Sequence, residues 1–360
     1  MMDEEILTNC VMEDKGAYNK HAKIPAAGAA LATPFLEKAA RNIRLDAGDQ
    51  PIVIADYGSS QGKNSLSPMR IAIRNLRPRL GPSRAIVVFH IDQASNDFNS
   101  LFEVLSSDPD RYALNDSNVF PCAIARSFYE QVLPADSVHL GWCSYAAVWL
   151  RRVPSLIPGH FFSLCSTGSA RAAFESQAAE DWEAFLSLRV REMRPGARLV
   201  VVLPAFDHQS LPAFTEFMDD VNATLAEMVD QGAITTQERA RMVLTCYPRQ
   251  KSELLAPFAK NPQFRGLTVE DCDVSAVPDP AWIEYQGDGD KQALATKQAL
   301  FFRSIFMPSL ASALTRVRAG DGEASLGFAD RLQEGLMQRL AKHPASLAGL
   351  VETIVLTKCA

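Results

Sequence analysis

Short unbroken apolar runs alternate with helical periodicity through the first half of the chain. Ile52–Asp56 (IVIAD), Ala85–Asp92 (AIVVFHID), Val138–Trp142 (VHLGW) and Arg198–Leu203 (RLVVVL) read as strands, and Phe161–Cys165 (FFSLC) as a further candidate. The spacing predicts helices over Ser65–Leu76 and Ala172–Met193. Continuous apolar strands separated by helices point to a parallel sheet covered on both faces. From about residue 205 to 345 the pattern turns helical, with helices predicted over Ala213–Asp230, Thr235–Arg241, Ser252–Phe258, Lys291–Val317 (kinked at Pro308) and Asp330–Lys342. Gly349–Thr357 reads as a final strand, and Ser275–Asp290 (SAVPDPAWIEYQGDGD) as the longest loop.

The chain has 360 residues, room for two or three domains at roughly 100–200 residues each. No repeat or Gly/Ser-rich linker divides it, so the length reads as one elaborated α/β domain carrying a helical addition. Apolar residues are 47% and charged residues 22%, which excludes disorder over most of the chain. The net charge of −6 argues against a general nucleic-acid binder, which shows a basic face. No run reaches the ~18 apolar residues of a membrane-crossing helix. The acidic start, MMDEEILTNC, does not resemble a secretory signal. Seven scattered Cys without a C-x-x-C pair, and six dispersed His, read as reduced thiols in a cytoplasmic protein with no dedicated metal site.

The sharpest local feature is Ile52–Ser65, a strand ending in Asp56 that passes through Gly58 and Gly62 into a helix. It suits a ligand at the carboxyl edge of a sheet. A phosphate-binding loop needs G-x-x-x-x-G-K-[ST]; here three residues separate the glycines, and Asn64 stands where Ser or Thr is required. The dinucleotide fingerprint G-x-G-x-x-G is absent, and Asp56 would repel a pyrophosphate. A ligand with an ammonium group and a ribose diol fits better, with Asp92 at the end of the second strand placed to accept from both ribose hydroxyls. S-adenosylmethionine (SAM) has these groups. The duller reading is that Asp56 caps a helix and Asp92 starts a turn.

Four further segments bear on that choice. IADYGSSQGKNS (Ile54–Ser65) resembles the "ADLGCSSGPN" segment of the SABATH methyltransferases, the salicylate, benzoate and caffeine-type carboxyl and N-methyltransferases. Asn96–Asn99 resembles that family's "NDFN", Ser127–Tyr129 its "GSFY", and Ser144–Pro154 its "SSYSLMWLSQVP". The motifs keep the family's order from about Tyr18 to Asp207, and a weaker likeness continues through Tyr247–Glu253 (YPRQKSE). The resemblance implies a class I methyltransferase fold: a Rossmann-like central sheet with helices on both faces, mainly residues 30–204 and 311–360, and a helical cap over roughly 205–310. It implies SAM as cofactor and S-adenosylhomocysteine (SAH) as product. It also implies a small-molecule acceptor, no nucleic-acid or membrane partner, and a homodimer.

Carried over residue by residue, the resemblance assigns Asp56, Gly58, Ser59 and Asn64 to the methionine end of SAM, with Tyr18 closing over it. Asp92 would bind the ribose, and Gln93, Ser127 and Phe128 would border the adenine. Ser144 would lie between cofactor and acceptor. Tyr145, Trp149, Trp142, Val148 and Tyr247 would line the acceptor pocket, with Tyr145 and Trp149 positioning the acceptor. Trp142, Trp149 and Tyr145 also read as plain core, and His139 reads as structural. Ser59 replaces the family's Cys, and Gln93 an apolar residue. Trp142 stands where salicylate-type members often carry His, and Val148 where they carry Met. Pro25 stands where carboxyl-methylating members carry a Gln that binds the acceptor carboxylate, so either another residue, such as Gln61 or Lys20, serves or the acceptor differs.

The expected reaction is in-line methyl transfer to the carboxylate of a small aromatic or apolar acid. It needs no acid–base residue, because a carboxylate is already ionised at neutral pH. The alternatives are an N- or hydroxyl O-methyltransferase of a heterocyclic or phenolic metabolite, and a catalytically silent SAM-fold binding module.

Overall fold

The computed structural model describes residues 12–205, 212–317 and 322–359. The acidic leader, Cys10 and Asp207 lie outside the described residues. Eight strands form one sheet: β1 (Ile52–Tyr57), β2 (Ile86–Asp92), β3 (Val119–Ala125), β4 (Val138–Ser144), β5 (Met193–Ala205), β6 (Gln263–Phe264), β7 (Leu267–Val277) and β8 (Gly349–Lys358), in the order β3-β2-β1-β4-β5-β8-β7-β6. The pairs joining β3, β2, β1, β4 and β5 are parallel, while β8, β7 and β6 add on antiparallel. The apolar runs at Ile52, Ala85, Val138 and Arg198 are therefore strands of a parallel sheet, as read. The strand order reverses direction between β1 and β4, and ligands of such sheets bind outside the carboxyl ends at that switch point.

The helices are α1 (Ala17–His21), α2 (Lys23–Leu31), α3 (Thr33–Asn42), α4 (Lys63–Leu80), α5 (Phe98–Ser107), α6 (Gly168–Glu192), α7 (Pro212–Asp230), α8 (Thr236–Arg241), α9 (Lys251–Leu255), α10 (Pro280–Asp288), α11 (Lys291–Val317) and α12 (Gly322–Leu340). Local chemistry explains several of their starts. Asp97 caps α5 through Ser100 N at 3.0 Å, and Thr235 with Glu238 forms a capping box on α8. One face of the sheet packs in an apolar layer containing Ile54, Leu66, Met69, Leu101 and Trp142. The other face buries a cluster that runs without a break from Tyr57 and Val201 to Phe217, Phe302 and Leu336.

Three expectations are corrected. Phe161–Cys165 is not a strand but a stretch ending in a 3₁₀ turn at Ser163–Cys165; Phe161 and Phe162 are apolar because they are buried under α7 and α11. Ser275–Asp290 is not a loop: its first residues complete β7, and α10 fills most of the rest. Asp279 caps α10 through Ala281 N at 3.0 Å, with Pro280 at the first helical position. The stretch 205–310 is not wholly helical, since β6 and β7 within it extend the sheet. Helix α11 continues past residue 310 and packs on α12.

Candidate active site

The carboxyl ends of β1, β2 and β4 meet at a cleft of about 450 Å³. The turn after β1 bends through Gly58 at φ 85° and Gly62 at φ 87°, with Ser60 between them at φ 47°. Gly58 has no alternative, because a Cβ there would lie 2.0 Å from the Ala146 Cβ. Gly58 N donates to Ile91 O at 2.7 Å, which ties the turn to β2. Asp92 Oδ2 accepts from Ser60 N at 2.7 Å and Oδ1 from Gln93 N at 2.8 Å. Burial pushes the Asp92 carboxyl up to about 6, against the pull of these two backbone donors.

Ser127 and Phe128 form the far wall. Their loop is held by a wholly buried ion pair from the end of α6. Arg189 Nη1 donates to Phe128 O at 2.6 Å and Nη2 to Glu130 O at 3.0 Å. Its partner Glu192 accepts from Arg189 Nε at 3.0 Å, from Val132 N at 2.7 Å and from the Tyr57 hydroxyl at 2.8 Å. A buried pair of charges is tolerated when its lone pairs and protons are all occupied in this way. The sequence reading missed both residues; an Arg and a Glu three apart at the end of α6, with Arg191 between them, do not by themselves mark a buried pair.

The N-terminal arm crosses the cleft. The Tyr18 hydroxyl bonds to Asn64, and burial pushes it up to about 12, with Asp92 and Asp56 acting in the same direction. Asn19 Nδ2 donates to Gln61 O at 2.9 Å, Gln61 Nε2 donates to Glu13 O at 2.7 Å, and Arg303 Nε donates to Glu13 Oε1 at 2.8 Å. Gln61 is thus consumed in holding the arm, and Lys20 is exposed. Neither is among the residues that line the apolar pocket beside Pro25.

A second pocket of about 130 Å³ opens beside the cleft, sharing Met12, Tyr18, Tyr145 and Trp149 with it. Cavities of ~150 Å³ admit benzene. Its wall includes Pro25, Val148, Phe162, Phe214, Phe301 and Phe306, and among the described residues no His, Asp, Glu, Lys or Arg side chain lines it. Tyr145 stands at the junction with φ 57°, held there by its N–H donating to Val202 O at 2.8 Å. A left-handed backbone at a bulky residue costs on the order of 1–3 kcal/mol and clusters at functional sites. Trp149 packs against Phe306, ring centres 5.9 Å apart.

Of the residues expected in the site, Tyr18, Gly58, Asp92, Gln93, Ser127, Phe128, Ser144, Tyr145 and Trp149 face the cleft, and Val148 faces the apolar pocket. Asp56, Ser59 and Asn64 lie just beneath, in the turn and under the arm. Trp142 is not a pocket residue: on β4 it points into the apolar layer and is 2% exposed. Tyr247 is not one either. Its neighbours Cys246 and Pro248 reach the pocket, while Tyr247 points the opposite way and donates to Glu253 Oε1 at 2.8 Å. His139 is structural: Nδ1 accepts from Val53 N at 3.1 Å, and burial lowers it to about 4.

The cleft fits a nucleoside cofactor on its own terms. The buried hydroxyls of Ser59 and Ser60 have no partner among the described residues, and a buried polar group without a partner is costly unless a ligand supplies one. An acid, a glycine turn and a second acid at the switch point of a parallel sheet define a class I methyltransferase. The chain belongs to the family of SAM dependent carboxyl methyltransferases, whose signature spans residues 8–345. It is 28% identical to methyltransferase FUS9 of Gibberella fujikuroi over 71% of this chain and 68% of that one. It is 26% identical to gibberellic acid methyltransferase 1 of Arabidopsis thaliana over 70% of this chain and 73% of that one. Across such curated relatives the matched part is about two thirds of their length. Its fold superposes on loganic acid methyltransferase with SAH at a TM-score of 0.75 and 22% identity, covering 97% of this chain and 98% of that one. Among the described residues no helix is long and apolar enough to cross a membrane.

Proposed function

We propose that this enzyme methylates the carboxylate of a small, largely apolar acid, which enters the pocket between Pro25, Trp149 and the phenylalanines of α7 and α11. The observation that carries this reading is the chemistry of the pocket wall. A phenol or protonated amine needs a base to expose its lone pair, and among the described residues no His, Asp, Glu or Lys lines the pocket. A carboxylate needs none.

Bound SAM supplies an electrophilic methyl on a sulfonium; the chain's own residues supply position and exclusion of water. Asp92 would accept from the ribose hydroxyls, Gln93, Ser127 and Phe128 would border the adenine, and the Asp56–Asn64 turn with Ser144 would hold the methionine end. The Trp149 indole, a donor only, and the Tyr18 and Tyr145 hydroxyls would face the acceptor oxygens. Alignment alone is worth ~7–11 kcal/mol in well-oriented reactions. The arm and cap close a dry pocket in which these few donors act strongly. The unbroken apolar cluster from the sheet into α7, α11 and α12 supports a single catalytic unit with a built-in cap.

The test is methyl transfer from labelled SAM across a panel of apolar acids, phenols and heterocyclic amines, with SAH binding by calorimetry. Esters from the acids alone are expected, with Asp92→Ala abolishing SAH binding. Products from phenols or amines alone, or no SAH binding, would overturn the reading.

A further inference from the structure

Beneath the cofactor turn lies a polar chain in an otherwise apolar layer. Asp56 is 2% exposed, His90 0% and Tyr112 7%. His90 Nδ1 lies 2.9 Å from Asp56 Oδ2, and His90 Nε2 lies 2.8 Å from the Tyr112 hydroxyl. Asp56 on β1 and His90 on β2 are register partners, so their side chains leave the same face of the sheet. Around them that face is filled by Ile54, Val88, Leu101 and Trp142. Three buried polar groups in such a layer are expensive unless each is satisfied, and apolar side chains would fill the space at lower cost.

A carboxylate only accepts hydrogen bonds, so His90 Nδ1 donates to Asp56 and one carboxylate oxygen is fixed. Tyr112, reaching in from the segment after α5, holds the far nitrogen and so the plane of the ring. Among the described residues no hydrogen bond is made to the other oxygen, Oδ1. We propose that His90 and Tyr112 are positioning residues that lock the Asp56 carboxylate with Oδ1 available to the ammonium of the cofactor's methionine end. This rests on the assignment of Asp56 to that end. The inner chain does for the carboxylate what a fixed tautomer partner does for any buried acceptor: it removes rotation about the side chain that would otherwise be spent on binding.

Two ligands separate this role from plain stabilisation. SAH carries the amino-acid end; 5′-methylthioadenosine keeps the nucleoside and lacks that end. Calorimetry on the full chain should show His90→Leu weakening SAH about tenfold while leaving methylthioadenosine within about twofold. Tyr112→Phe, which removes only the outer bond, should weaken SAH by a smaller factor with the same selectivity. Asp56→Asn should match His90→Leu, and the double variant should lose little more than either single one, because the two act through one bond. Equal weakening of both ligands by His90→Leu and Tyr112→Phe, or no weakening of either, would overturn the proposal. If Asp56→Asn leaves SAH binding intact, the assignment of Asp56 to the cofactor is what fails.

Discussion

A Cβ placed on Gly28 would lie 2.0 Å from the hydroxyl oxygen of Tyr145. Helix α2 therefore presses its backbone directly against the tip of the residue that stands between cofactor cleft and acceptor pocket. Three residues earlier on the same helix, Pro25 forms part of the pocket wall. Gly28→Ala should displace the Tyr145 ring. A misplacement of ~1 Å near the reacting groups can cost on the order of a hundredfold, so kcat/KM for the acid should fall between about ten- and a hundredfold. Since the cofactor cleft is bounded mainly by Ser60, Asp92, Gln93 and Phe128, SAH affinity should change far less. Steady-state kinetics beside calorimetry reads both.

Trp149 tests the donor. Trp149→Phe keeps an aromatic surface against Phe306 but removes the indole N–H. A hydrogen bond to a charged group is worth ~1.5–3 kcal/mol, so kcat/KM for a carboxylic acid should fall by roughly one to two powers of ten. Thermal stability should be nearly unchanged. An undiminished rate with every acid would show that the indole does not face the carboxylate.

Asp92 predicts the pH dependence of cofactor binding. Its carboxyl sits at about 6 in the free protein because burial disfavours the charge. Acceptance of two ribose hydroxyls requires the ionised form, so affinity should be level above that value and fall as pH drops below it. The limiting slope is about tenfold per pH unit. Titrations of SAH between about pH 5 and pH 8 check this. Asp92→Asn should bind weakly and without the step.

Glu352 predicts a pH dependence of stability. It lies wholly buried on β8, where its Oε2 has no partner among the described residues and the Cys272 thiol approaches Oε1 at 3.5 Å. Burial raises its carboxyl from 4.5 to about 7. The unfolded chain then ionises at lower pH than the folded one. The stability linked to this group is present below about pH 4.5 and is lost as pH rises through about 7, a total on the order of 3 kcal/mol. Glu352→Gln, which keeps the shape and removes the charge, should be more stable than the parent above about pH 7 and nearly equal to it near pH 5. Urea melts at the two pH values measure the difference; a parallel pH profile in both proteins would refute it.

The sequence by itself determined four of the five parallel strands, because β1, β2, β4 and β5 are largely buried and must be mostly apolar, while the edge strand β3, with Pro121 inside it and Phe120 exposed, was not legible as one. It also marked the turn after β1 as the candidate cofactor site, since an acid, two glycines and a second acid at strand ends are local chemistry. The Asp279-Pro280 start of α10 was equally local and was legible, yet it was hidden in a stretch rich in Gly and Asp that also reads as a loop. Other features depend on contacts between distant segments. Trp142 and Trp149 are both aromatics flanking one strand end, and only the packing of α11 brings Phe306 onto one while the apolar layer swallows the other. Gln61 looked free to bind an acceptor until the arm folded over it. The Asp56–His90 bond exists because β1 and β2 align in one register, and Tyr112 joins them from 22 residues further along the chain. Patterns of residues within one element report what that element must bury. Which polar groups remain available to a ligand is decided only after every other segment has taken its hydrogen bonds.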